Sequence, residues 1–170
     1  RRTSPCLAMG PRWLASGCGY RKMADQAYLA ARLHDIGKQF LLAALEEITS
    51  NGELSVTLSD QLVREVIATM HVEQGLRLFE EWHLPEVYKE VVADHHDDDL
   101  GSQNIVVALV KLANKGCSKA GLGLSRTPDI VLPTTGEAQF LGIDEIVLAE
   151  FEIMLEDHFL GGKPAPAATG

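Results

Sequence analysis

The sequence predicts an all-α protein, a bundle of six to eight helices, and three observations carry that prediction. Apolar residues recur at three- and four-residue steps in segment after segment. No stretch reads convincingly as a strand. Glycine and proline cluster in only a few places, and these fall between the periodic segments.

The elements follow in order. Residues 4–19 read as a short helix that Ser4 can cap and Pro5 can open. Pro11 is expected to kink or interrupt it, and Gly17-Cys18-Gly19 to end it. Residues 22–34 form a second helix on Ala27, Leu29, Ala30, Ala31 and Leu33. Gly37 marks a break or a close backbone approach, after which Phe40–Ile48 is helical and Asn51-Gly52 turns. A helix from Ser59 or Asp60 to Thr69 carries Leu62, Val63, Val66 and Ile67. A further helix presents His71, Gly75, Leu78, Phe79 and Trp82 on one face, and Leu84-Pro85 closes it. The next runs from Glu86 to about His95. Asp97, Asp98 and Asp99 form an acidic loop, and Ile105–Asn114 is strongly apolar helix. Residues 116–139 lack a period and read as a long loop with one short turn. Asp144 caps a final helix to about Phe159, and 161–170 is a low-complexity, disordered tail. Residues 1–160 are expected to be one domain.

Bulk properties narrow the function. At 170 residues and 46% hydrophobic content the chain can bury one ordinary core. A net charge of −9 with no Lys/Arg-rich block argues against a nucleic-acid surface. No apolar run approaches a membrane span, and the N-terminus does not read as a secretory signal. Cys6, Cys18 and Cys117 lack CxxC spacing, which disfavours disulfides and zinc knuckles and fits a cytoplasmic location. They read as small, partly buried thiols. The first residue is Arg rather than Met, so the sequence is expected to be part of a longer product.

The chemistry concentrates in the histidines. His34-Asp35-Ile36-Gly37-Lys38 ends an apolar helix, and a neighbouring imidazole and carboxylate at a helix end can point at one divalent metal. His71 and the pair His95-His96 can complete a one- or two-metal centre, of the kind that activates water against a phosphate ester. Lys38 reads equally as a phosphate-binding group or as a surface lysine at a helix end. Trp82 reads as a core anchor, because it continues an apolar face. His83 and His158 fit no motif and read as surface groups, and the 97–99 triad as a solvated loop. Asp94 is placed to orient an imidazole as an outer acceptor. There is no nucleophilic triad, P-loop or Rossmann glycine pattern.

The string His34-Asp35-Ile36-Gly37-Lys38, then His71-xxx-Gly75-xx-Leu78-xxx-Trp82-x-Leu84-Pro85, then His95-His96, resembles the HDOD domain. That family is the regulatory branch of the HD-domain metal-dependent phosphohydrolases, related to the HD-GYP cyclic-di-GMP phosphodiesterases. The resemblance runs from about Thr3 to His96 and more weakly to Asn114. It implies an HD-domain helical bundle and a metal set of His34, Asp35, His71, His95 and His96 for iron, manganese or a similar ion. Two ligand positions of active relatives are altered: an upstream His falls on Thr3 and a final Asp on Asn114. One nitrogen ligand and one negative charge are therefore gone. The reading that follows is a bacterial signalling module with a partial metal site, working with protein partners or fused signalling domains. The alternatives are an active phosphodiesterase on a cyclic dinucleotide or nucleotide, with Asp35 and Lys38 in catalytic roles, and a non-catalytic metal or nucleotide sensor.

Overall fold

The computed structural model describes residues 3–51, 58–96, 104–122 and 126–157, with side chains from residue 8 onward. Eight α-helices and two short 3₁₀ turns make up its regular structure, and no strand occurs among the described residues. The helices are α1 (Thr3–Gly17), α2 (Ala24–Leu33), α3 (Ile36–Ser50), α4 (Asp60–Glu81), α5 (Glu86–Asp94), α6 (Ile105–Lys119), α7 (Gly136–Leu141) and α8 (Glu145–Leu155).

The core is built around α6. Its run Ile105–Ala113 is apolar apart from Lys111, and ten of its residues are buried, from Val106 to Cys117. A helix apolar on nearly every side must be covered on nearly every side. Contacts from α1, α2, α5, α7 and α8 do this, with Leu14, Ala27, Val91, Leu148, Phe151 and Leu155 joining its residues in one cluster. Side-chain caps start four helices. Asn104 Oδ1 accepts from the Val106 amide at 2.9 Å and Asp144 Oδ1 from the Ile146 amide at 2.8 Å. Ser59 and Thr135 do the same for α4 and α7.

α3 and α4 lie against each other as a pair. A Cβ on Gly37 would lie 1.9 Å from the carbonyl oxygen of His71 and 2.8 Å from the amide nitrogen of Gly75. Only glycine lets these two backbones meet, which answers the expectation of a break or a close approach with the latter. Farther along the pair nothing is fully buried, neither in residues 42–50 of α3 nor in 60–70 of α4.

Several boundaries differ from the sequence reading. The segments 60–69 and 71–82 are one helix of 22 residues. Pro11 lies inside a continuous α1. The expected loop from 116 is helical to Lys119 and includes α7, because Lys115 and Lys119 pair with Glu137 and Glu152 at 2.8 and 2.7 Å. Polar residues that broke the apolar period thus hold neighbouring helices. Trp82 is not a core anchor: it is 53% exposed, while Phe79 beside it is fully buried. Trp82 is the residue at which α4 ends, and His83 follows in the left-handed region at φ 53°. The chain has left the helical angle before the indole can reach the buried stripe. His83 is on the surface, as expected. The acidic triad 97–99, His158, Gly52 of the expected turn and the tail 161–170 lie outside the described residues, as does the side chain of Cys6. Among the described residues no helix is long and apolar enough to cross a membrane.

Candidate metal centre

Three helix ends and one helix middle deliver the site. His34 follows the last residue of α2, Asp35 precedes the first of α3, and Lys38 lies in the first turn of α3. His71 sits midway along α4, opposite Gly37, and His95 and His96 follow α5. His34, His71 and His95 are all buried.

Backbone carbonyls set the direction of these three rings. Nδ1 of His34 donates to the Ala31 carbonyl at 2.8 Å, that of His71 to Ile67 at 2.9 Å, and that of His95 to Val92 at 2.8 Å. A proton fixed on Nδ1 leaves Nε2 with a free lone pair, the arrangement found around metal-ligating histidines. The acceptor that orients His95 is thus the Val92 carbonyl and not Asp94, a correction to the sequence reading. The signal was present, since each ring lies on a helix three or four residues beyond a carbonyl of the same helix.

The four residues whose ligand atoms come together are Asp35, His71, His95 and His96, all within 4.8 Å of one another. Two ligands on opposite sides of one ion with bonds of about 2.1 Å are about 4.2 Å apart, so the cluster is close to the dimensions of a single site and would draw in slightly around an ion. His71 Nε2 and His96 Nε2 face each other at 2.8 Å, and the His95 and His96 rings lie 3.9 Å apart. His34 stands behind the carboxylate, its Nε2 3.4 Å from Asp35 Oδ2. His95 Nε2 is 3.4 Å from Asp35 Oδ1. His95 Nε2 and Asp35 Oδ1 are both buried without a hydrogen-bond partner.

The electrostatics agree. Burial lowers the pKa of His34, with Asp35 opposing. Burial and then the Lys38 charge lower His71, and burial followed by the His95 and Lys38 charges brings His96 down to about 4. Burial would raise Asp35, but His95, His34 and Lys38 together hold it well below the usual carboxylate range. Near neutral pH His34, His71 and His96 are therefore neutral and Asp35 is ionised, the forms that bind metal. The unpartnered inward lone pair of His95 Nε2 beside a carboxylate oxygen fits a divalent cation.

The two altered positions lie on other helices. Asn114 lies on α6, half-buried, with its Oδ1 enclosed and without a hydrogen-bond partner. Thr3 begins α1, and its side chain lies outside the described part.

An all-α bundle that gathers a His-Asp doublet with later histidines at one place defines an HD-type domain. The HDOD domain profile matches residues 2–98, and the chain belongs to the HDOD family. The fold is similar to that in a 1.90 Å crystal structure of an HDOD domain protein with unknown function from Geobacter sulfurreducens. The TM-score is 0.65 at 22% identity, over 94% of this chain, which spans 62% of that one. Among curated proteins no match was found.

Proposed function

We propose that this chain is a regulatory HDOD module of bacterial signalling whose pocket holds one divalent cation and does not hydrolyse phosphate esters. The observation that carries this is the convergence of Asp35, His71, His95 and His96 around a single point, with one carboxylate among them. His34, adjacent to Asp35, would support the set from behind. A bound divalent ion in such a pocket acts as a Lewis acid and as a tie between the elements that supply its ligands. Hydrolysis by a bridged metal pair needs ligands for two ions about 3.5–4 Å apart, and among the described residues there is one cluster of His, Cys, Asp or Glu. Asn114, neutral where active relatives place a carboxylate, weakens the case for a second ion further. What remains is an ion that binds α2–α3, α4 and α5 together and stabilises one arrangement of them by its binding energy. Its readers are protein partners or fused signalling domains in the cytoplasm.

The test is metal content after purification without chelator, paired with hydrolysis assays on cyclic dinucleotides in Mn²⁺ and Fe²⁺. We expect a single ion per chain, its loss in Asp35→Ala, and no turnover. Turnover that disappears in Asp35→Ala establishes the alternative, an active phosphodiesterase. Protein that takes up no metal removes the metal from the proposal.

A further inference from the structure

Asp35 is the one carboxylate of the converging set, and it is already engaged. Lys38, three residues along, brings Nζ to 2.8 Å from Asp35 Oδ1, with the two side chains 19% and 24% exposed. The contact is a short ion pair to a buried oxygen, and it is one of the causes that hold Asp35 below the usual carboxylate range. The same oxygen is the one that lies 3.4 Å from the unpartnered Nε2 of His95. The lysine ammonium therefore neutralises the very atom on which a metal would rely. Its charge reaches beyond Asp35, for after burial it is among the causes that lower both His71 and His96.

Charge balance makes the consequence concrete. Among the described residues, the Asp35 carboxylate and the Lys38 ammonium cancel each other. A divalent ion added beside an unmoved Lys38 would leave the pocket with two uncompensated positive charges in a largely buried place, which is costly. A second carboxylate would relieve this, but position 114 carries an amide.

We infer that Lys38 is a tethered competitor for the metal: its ammonium holds Asp35 in the metal-free site, and a divalent cation loads by displacing it. The inference rests on the single-metal reading above. It makes Lys38 the residue that sets metal affinity. It also gives loading a second effect, because the displaced ammonium leaves the pocket at the start of α3 and is free to meet an anion outside.

Calorimetric titration with Mn²⁺ tests this on the wild type, Lys38→Met and Lys38→Arg, each checked for cooperative thermal unfolding. Lys38→Met is expected to bind Mn²⁺ roughly 10- to 100-fold more tightly, the scale on which groups around metal ligands act, and Lys38→Arg to stay near wild type. Equal or weaker binding by Lys38→Met overturns the inference. Unmutated protein gives a second reading: the rate of limited acetylation at Lys38, followed by peptide mass spectrometry, should rise when Mn²⁺ is added, and an unchanged or lower rate overturns it. Asp35→Asn separates the two levels. If Asp35→Asn loses Mn²⁺ while Lys38→Met gains nothing, the competitor role alone falls. If Asp35→Asn binds Mn²⁺ as wild type does, or if neither wild type nor Lys38→Met binds it, the single-metal reading and the competitor role fall together.

Discussion

Gly37 shows how much of the site depends on an absent side chain. It stands between Asp35 and Lys38 and touches the backbone of His71 and Gly75, so it sets the distance between α3 and α4 and hence between Asp35 and His71. Gly37→Ala forces a methyl group to within 1.9 Å of a carbonyl oxygen unless α3 and α4 move apart. Backbone on both sides cannot yield as a flexible side chain can. We expect a loss of about 3 kcal/mol, at the upper end of ordinary overpacking, measured by urea denaturation, together with loss of metal uptake as His71 is carried away from Asp35. Stability within about 0.5 kcal/mol of wild type would mean that the helices separate freely and that the close approach is not required. The doublet, His71, the His pair and this glycine were all legible in the sequence, because each is a residue type with few alternative uses at such a position. The outward-facing Trp82 was not. A periodic pattern cannot register the residue at which a helix stops, and Trp82 lies on that residue.

At the scale of elements, α6 and the α3–α4 pair are opposites. α6 buries ten residues and touches most of the bundle. Beyond Leu41 and before His71 the α3–α4 pair buries none, and its outer half leaves Leu42 and Leu62 exposed. Local opening costs least where few apolar contacts must be broken. Hydrogen exchange should therefore reach the amides of 42–50 and 60–70 well before those of 106–117, with residues 37 and 71–79 protected between them. Uniform protection along α4 would show that the outer half is held by something other than its contact with α3. The same contrast explains what the sequence hid here. Its two apolar runs in 60–82 face different surroundings, half-buried or exposed in the first and packed on His71, Gly75 and Phe79 in the second, so a single helix read as two. α7 escaped notice because six residues, Gly136–Leu141, are too few to show a period, and Glu137, its buried carboxylate, is held by Lys115 from α6.

For the whole molecule, the pocket histidines link the site to global stability through pH. His34, His71 and His96 all titrate lower in the folded protein than the ordinary value near 6.5, burial being the first cause in each. Below that value the unfolded chain takes up protons at these positions that the folded chain refuses. The unfolded state then binds more protons, so stability rises with pH across the interval and falls as pH drops through it. The contribution is fully present above about pH 6.5. For His96 it is lost down to about pH 4, where the folded group titrates. Asp35 has the same sign in a lower window, because a carboxyl held below its unfolded value of about 3.9 loses its contribution only as pH falls past that value. Melting temperatures in chelator should accordingly be level above neutrality, decline from about pH 6.5 to 4, and decline again in stronger acid. Removing two of the protonation sites in His71→Gln/His96→Gln should flatten the upper decline without altering the lower one. A wild-type melting temperature that holds constant from pH 7 to about 4 would contradict the pairing of neutral imidazoles with a buried carboxylate. That pairing is also what makes the pocket receptive to a cation. Added Mn²⁺ should raise the melting temperature most near neutrality and progressively less as protons compete for the same Nε2 lone pairs.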